Sequence, residues 1–283
     1  MLTTVTAGPY TLRGISLGGV YTSLACPELG VLFDAGIPAR SLASLDTILL
    51  SHGHVDHVGA LPAILGIRAL HGKSRPPRVI MPAEIVDDLT AALAALTKLQ
   101  RWPLDIEAIG MRAGEERELR GDLRVRAVQT FHPVPSLAYV IVRKISKLKP
   151  EFHDLPGREI AARRRAGEQM LLHEERAELA YVTDTLISAF DHGPELFDAR
   201  VLVMECTFLD GRKTLEGARA GCHIHLDEVI ERAAKFTNET IVMMHVSQLY
   251  RPDEVARILD ARVPPELRQR IIPFVPDTAH WPG

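Results

Sequence analysis

The chain has 283 residues, 46% hydrophobic and 24% charged, and its 33 basic and 36 acidic side chains leave a formal net charge of −3. That make-up belongs to a folded protein with a sizeable core, and it excludes a disordered chain and a globally basic nucleic-acid binder, though not a local basic patch. Charge-free stretches are too short and too often interrupted by Pro, Gly or His to span a bilayer. The opening MLTTVTAGPYTLRG lacks the basic and apolar regions of an export leader. Cys26, Cys206 and Cys222 are odd in number, widely spaced and without a CxxC, which argues against a disulfide framework or a thiolate zinc site and points to a reducing cytoplasm.

In chain order, short runs rich in β-branched residues end repeatedly in a side chain able to bind a metal or carry a proton. GVLF ends at Asp34, TILLS at His52, VQTF at His132, AYVT at Asp184, VLVM at Glu205 and TIVMM at His245. Runs of this kind predict buried strands, and polar residues at so many strand ends predict one shared edge where they converge. Helical spacing predicts helices over 82–100, 225–236 and 252–263, the last opening on a proline suited to a first helical position. Strands alternating with helices predict an α/β fold, two sheets packed inside helices as one αββα domain over residues 1–283. The stretch 143–179 breaks the rhythm and reads as an insertion, a loop followed by a short basic helix. From Arg143 to Gly167, eight basic residues stand against three acidic ones. Such an excess is either a solvated helix face or a reduced substrate arm over the shared edge, with Arg163, Arg164 and Arg165 as candidate phosphate contacts.

The sharpest motif is SHGHVDHVGALP at residues 51–62, which places His52, His54, Asp56 and His57 within six positions directly after a strand. Imidazole and carboxylate are preferred ligands of zinc and similar ions, and ligands packed this tightly repel one another without a cation. A lone His or Asp at a strand end is more often a cap. Once a cluster of four exists, however, His132, Asp184 and His245 become its natural partners, and a carboxylate such as Asp184 can bridge two ions through its two oxygens.

Asp34, His52-x-His54-x-Asp56-His57, His132, Asp184 and His245 occur in the order and approximate spacing of the metallo-β-lactamase superfamily. Within it, the flanking residues resemble ribonuclease Z, the tRNA 3′-processing endonuclease: HPVPSLAY at 132–139, VLVMECTF with Glu205 and Thr207, GCHIHLDE with His223, and HVSQLY at 245–250. The resemblance implies an αββα sandwich with two zinc ions, Mn2+ or Fe2+ being alternatives. His52, His54 and His132 would hold one ion and Asp56, His57 and His245 the other, with Asp184 bridging them and Asp34 orienting a ligand histidine. It also implies that Asp56 takes part in catalysis, that His223 supported by Glu205 protonates the leaving oxygen, and that Ser247 touches substrate; His225 is the alternative proton donor. The insertion has one Pro-Gly step and a short basic run where the family carries a long Gly/Pro-rich arm.

A zinc-bound water ionises near pH 7, so the expected activity is hydrolysis of a phosphodiester, RNA or tRNA being the expected partner, by a metal-held hydroxide. The alternative is a hydrolase of a small ester, lactone, β-lactam, thioester or sulfate ester on the same scaffold; a Glu-supported extra histidine favours the phosphodiester. A non-catalytic binding subunit would be expected to have lost ligands. The resemblance is compatible with a homodimer, and no membrane partner is expected.

Overall fold

The computed structural model describes residues 2–282 and arranges fourteen strands in two seven-stranded sheets. The first sheet keeps chain order: β1 (Thr3–Ala7), β2 (Tyr10–Leu17), β3 (Tyr21–Cys26), β4 (Val31–Phe33), β5 (Thr47–Leu49), β6 (Arg78–Pro82) and β7 (Glu107–Met111). The second comprises β8 (Glu116–Arg120), β9 (Leu123–Gln129), β10 (Leu137–Leu148), β11 (Leu171–Val182), β12 (Val201–Glu205), β13 (Thr240–Met244) and β14 (Ile271–Pro273), again side by side in sequence order.

Both sheets are built alike. Four strands form an antiparallel meander, β1–β4 and β8–β11, and three further strands add in parallel. Parallel neighbours require crossovers, and most of these carry helices. Thus α1 (Val55–Val58) and α2 (Leu61–Leu70) lie between β5 and β6, and α3 (Val86–Gln100) between β6 and β7. A helix α4 (Gly157–Arg165) separates β10 from β11, while α5 (Ser188–His192) and α6 (Glu195–Asp198) connect β11 to β12. Next, α7 (Leu215–Ala220) and α8 (Leu226–Glu231) connect β12 to β13, and α9 (Pro252–Arg262) leads toward β14.

Three apolar layers hold this together. Leu12, Phe33, Tyr139, Tyr181 and Val203 pack between the sheets; Leu32, Ile48, Ile64 and Leu93 pack the first sheet on its helices; Val140, Leu202, Val229 and Leu259 do the same for the second. Strands covered on both faces read as unbroken apolar runs, which is why β4, β5, β12 and β13 show no alternation. The αββα expectation is met, and the six polar strand ends meet on one edge. Equivalent fourth strands β4 and β11 deliver Asp34 and Asp184.

Two helix expectations shift at their ends. Pro82 closes β6, and a 3-10 turn at Ala83–Ile85 precedes α3. The 225–236 helix stops at Glu231 and gives way to a 3-10 turn at Ala233–Lys235.

The insertion differs more. Instead of a loop and helix alone, β10 and β11 continue as a two-stranded ribbon, paired from Arg143↔Arg176 to Leu148↔Leu171, with α4 at its tip. The ribbon is solvated on both sides, so its sequence lacks the apolar alternation that marks a half-buried strand. Glu178, fully buried at its root, accepts hydrogen bonds from Tyr10 Oη (2.7 Å), Arg143 Nε (2.9 Å) and Arg176 Nη2 (2.6 Å). The returning strand largely cancels the basic excess: over 143–178, nine basic residues face seven acidic ones, with Lys147 paired to Glu174 at 2.6 Å. Because β11 runs toward Asp184, the tip lies at its opposite end, separated by about 35 Å of strand. The arm therefore does not reach over the edge where the polar strand ends meet, and Arg163, Arg164 and Arg165 stand apart from the convergent residues. Among the described residues, no helix is long and apolar enough to cross a membrane.

Candidate metal centre

Among the described residues, three of the five non-glycine residues with positive φ sit at the ends of strands on this edge: Asp34 (54°), Asp184 (41°) and His245 (58°). A left-handed residue directly after a strand turns the chain abruptly, and such local cost persists where packing over-determines it. His52 follows β5 on a segment whose Ser51 carbonyl accepts the Leu137 N–H at 2.9 Å. His54 is the N-cap of α1, with Asp56 in its first turn and His57 in its last. Gly36 lets α1 approach: a Cβ there would stand 2.0 Å from the Asp56 carbonyl oxygen. His132 comes from the loop after β9, tied to the Asp184 loop by Phe131 N–H donating to Thr185 Oγ1 at 2.8 Å.

The ligand atoms fall into two groups. His52, His54, His132 and Asp184 place theirs within 4.8 Å of one another, as do Asp56, His57 and His245. Asp184 faces both: its Oδ2 lies 3.8 Å from His52 Nε2, and its Oδ1 lies 3.4 Å from His57 Nε2 and 3.1 Å from His245 Nε2. His54 Nδ1 and His132 Nε2 face each other at 3.1 Å.

Each inner histidine is held from behind. Asp34 accepts from Ser51 N–H (2.7 Å), Ser51 Oγ–H, Tyr181 Oη–H (2.7 Å) and His57 Nδ1–H (2.8 Å). Since Ser51 Oγ donates to Asp34, it accepts from His52 Nδ1 at 2.9 Å. Thr207 Oγ1 donates to Glu205 Oε2 at 2.6 Å and accepts from His245 Nδ1 at 3.1 Å. In all three rings Nδ1 is engaged from behind and Nε2 is turned inward, the arrangement of a carboxylate- or hydroxyl-supported metal ligand. His52 Nε2, His57 Nε2 and His245 Nε2 are buried without a hydrogen-bond partner. Orphaned buried acceptors are costly and rare, so the donor set, five imidazoles and two carboxylates of which Asp184 faces both groups, fits two divalent cations.

The electrostatics agree. Burial, reinforced by neighbouring imidazoles, pushes His52, His132 and His245 below the ordinary histidine range, toward the neutral form a metal needs. Burial also opposes charge on His57, but the Asp184 and Asp34 carboxylates outweigh it and raise that histidine well above its usual value. Asp184 is held well below the carboxylate range, its desolvation outweighed by His245, His57 and His52.

Glu205 is the second hub. Fully buried, it accepts from Thr185 N–H (2.7 Å), Thr207 Oγ1–H, Ile224 N–H (3.2 Å) and His223 Nδ1–H (3.3 Å). One carboxylate thereby links the loop of Asp184, the support of His245 and the ring of His223. A ring nitrogen of His223 lies within 4.8 Å of ligand atoms of Asp184 and His245. Burial works against the His223 cation, yet the Glu205 carboxylate prevails and lifts it to about 9. His225 stands differently. It caps α8, its Nδ1 accepting from Asp227 N–H (3.2 Å) while its Nε2 faces the Asp210 carbonyl (3.2 Å). Both of its ring nitrogens face backbone groups. Ser247 is next to the centre: its N–H donates to the Thr207 carbonyl (3.0 Å) and its Oγ accepts from Leu249 N–H (3.3 Å). Ser51, Tyr181 and the supporting role of Thr207 are not legible in sequence. Tyr181 reaches Asp34 across 147 positions, and no local pattern signals that pairing.

Residues 27–246 match the family described as Beta-lactamase superfamily domain. The chain is 35% identical to tRNase Z TRZ1 of Arabidopsis thaliana over 93% of its length and 94% of that protein's, and 31% identical to the chloroplastic tRNase Z TRZ2 of the same plant over 94% and 75%. Its fold superposes on the crystal structure of human tRNase Z, short form, with a TM-score of 0.58 at 16% identity, covering 98% of this chain and 95% of that one. Matches along nearly the whole length, on a fold and an edge of this kind, show that the chain belongs to the beta-lactamase superfamily and, within it, to the ribonuclease Z-like metal-dependent hydrolases.

Proposed function

We propose that the chain is a dinuclear zinc endoribonuclease of the tRNase Z type, acting on tRNA precursors. The observation that supports this reading most is the Glu205 hub, which holds His223 beside the two groups of candidate ligands. His52, His54 and His132 would hold one ion, Asp56, His57 and His245 the other, with Asp184 shared. Bound zinc supplies a water ionised near neutral pH and charge to neutralise the phosphorane-like transition state. The chain's own residues do the rest. Asp34, Ser51 and Thr207 keep the ligand lone pairs pointed inward. Glu205 fixes Nδ1–H of His223, leaving the opposite nitrogen to carry a proton to the departing ribose oxygen. The Glu205 carboxylate lifts His223 to about 9; two bound dications would lower that value, so turnover should fall as pH rises toward it.

Hydrolysis of a pre-tRNA, bis(p-nitrophenyl) phosphate and a lactone, measured side by side, tests the substrate. Cleavage of both phosphodiesters with the lactone untouched is the expected pattern; lactone turnover alone would overturn it in favour of small-ester hydrolysis. The α4 arginines extend the same test. Arg163 is paired with Glu159 at 2.7 Å, whereas Arg164 and Arg165 have no carboxylate partner among the described residues. Far from the centre, they can meet only a long substrate. Replacing Arg163, Arg164 and Arg165 with Ala should flatten the salt dependence of pre-tRNA binding and leave bis(p-nitrophenyl) phosphate hydrolysis within twofold, a roughly estimated bound. Equal effects on both substrates would exclude α4 as an RNA contact.

A further inference from the structure

The segment between Thr207 and His223 borders the centre and is rich in cations. Nearly all are already neutralised: Arg212 by Glu254 (2.5 Å), Arg219 by Glu228 (2.8 Å), and, on neighbouring elements, Arg251 by Asp253 (2.6 Å) and Arg262 by Asp227 (2.6 Å). Within the segment Lys213 is the exception, having no carboxylate partner among the described residues. Its place is nonetheless fixed. The stem crosses Gly217, where an added Cβ would stand 2.9 Å from Lys213 Cε. Its Nζ lies 5.6 Å from the centroid of the Phe208 ring. That ring meets the His223 ring edge-on, centroids 6.2 Å apart and planes at 75°. Phe208 is itself anchored, its carbonyl accepting Leu226 N–H at 2.8 Å. An ordered ammonium, un-neutralised and held one aromatic ring away from the acid-base histidine, is suited to an anion arriving with the substrate.

We propose that Lys213 is a substrate-binding residue that takes a non-bridging oxygen of a phosphate flanking the scissile one, with Phe208 and Gly217 positioning it. The inference rests on the reading of the chain as an RNA phosphodiesterase. It predicts selectivity for substrates with consecutive phosphates over isolated diesters.

The test measures KM, kcat and salt dependence on a pre-tRNA for Lys213→Gln, for Gly217→Ala and for Lys98→Gln, a remote exposed lysine on α3 serving as a control. Lys213→Gln should raise KM roughly tenfold, lower kcat far less, and reduce the slope of log affinity against log salt by roughly 0.7, the worth of one phosphate contact on a single strand. Gly217→Ala favours its helix and should fold, so the displaced lysine stem should give the same change in smaller measure. Lys98→Gln should behave as the unmodified protein. An unchanged KM and salt slope in Lys213→Gln, with the unmodified protein cleaving RNA, would overturn the assignment and leave the function intact. Equal losses on pre-tRNA and bis(p-nitrophenyl) phosphate would overturn it too, by showing that Lys213 serves the centre or the fold. If the unmodified protein cleaves bis(p-nitrophenyl) phosphate and no RNA, the functional reading fails and this inference with it.

Discussion

Replacing His223 with Ala is expected to lower turnover of an RNA substrate by roughly 10²–10⁴ while leaving metal content intact, the usual worth of a positioned proton donor. Metal content should hold because the three inner rings take their support elsewhere: His57 from Asp34, His52 from Ser51, His245 from Thr207. The loss should shrink for bis(p-nitrophenyl) phosphate, whose leaving group departs without a proton. A second substitution separates donor from scaffold. Glu205→Gln keeps the shape of the hub but removes the charge that favours protonated His223. It should move the alkaline limb of the pH–rate profile downward, whereas a purely structural defect would lower the rate at every pH alike. An unchanged limb in Glu205→Gln, together with a full-rate His223→Ala, would remove the proton-donor role.

The other large effect belongs to Asp184. Asn has nearly the same shape, so the αL turn after β11 should survive, but its amide nitrogen cannot take the place of a ligand oxygen. Asp184 Oδ2 faces His52, and Oδ1 faces His57 and His245, so the substitution weakens both groups together. We expect Asp184→Asn to retain at most one ion per chain and to lose at least about 10³-fold in turnover, since a two-metal site lowers the barrier by several kcal/mol. Circular dichroism should stay that of the unmodified protein. Full metal content with full activity in this variant would show that Asp184 does not bridge.

Much of the fold and of the metal edge is legible in the amino-acid sequence. Each of the six apolar runs forms a strand, and all deliver their polar residue to one edge, because strands covered on both faces cannot disguise themselves in sequence. The HxHxDH cluster stands out in the sequence because imidazoles and carboxylates so close together are costly without a cation. What stays hidden is non-local or solvated. The ribbon of residues 143–148 and 171–176 has neither face buried, so its charges suggest a loop and conceal both the strands and the direction in which they carry α4. His225 and His223 are two positions apart and look interchangeable. Only the three-dimensional placement shows that His225 caps α8 through Nδ1 and turns Nε2 to the Asp210 carbonyl, while His223 leans on Glu205 beside the candidate ligands. Tyr181 carries no motif, because its partner Asp34 is brought to it by the packing of the two sheets.

That seven residues at one edge hold two ions is tested most directly by elemental analysis of protein purified without chelator and dialysed at stepped pH. Two zinc-sized ions per chain are expected near pH 7.5. Loss in mild acid should begin at the group containing His57, the ring whose protonated form the Asp184 and Asp34 carboxylates favour against burial. His52 and His132 resist protonation and should retain their ion to lower pH. A single ion at neutral pH would contradict the role given to Asp56, His57 and His245, and no transition metal at all would contradict the two-ion centre itself.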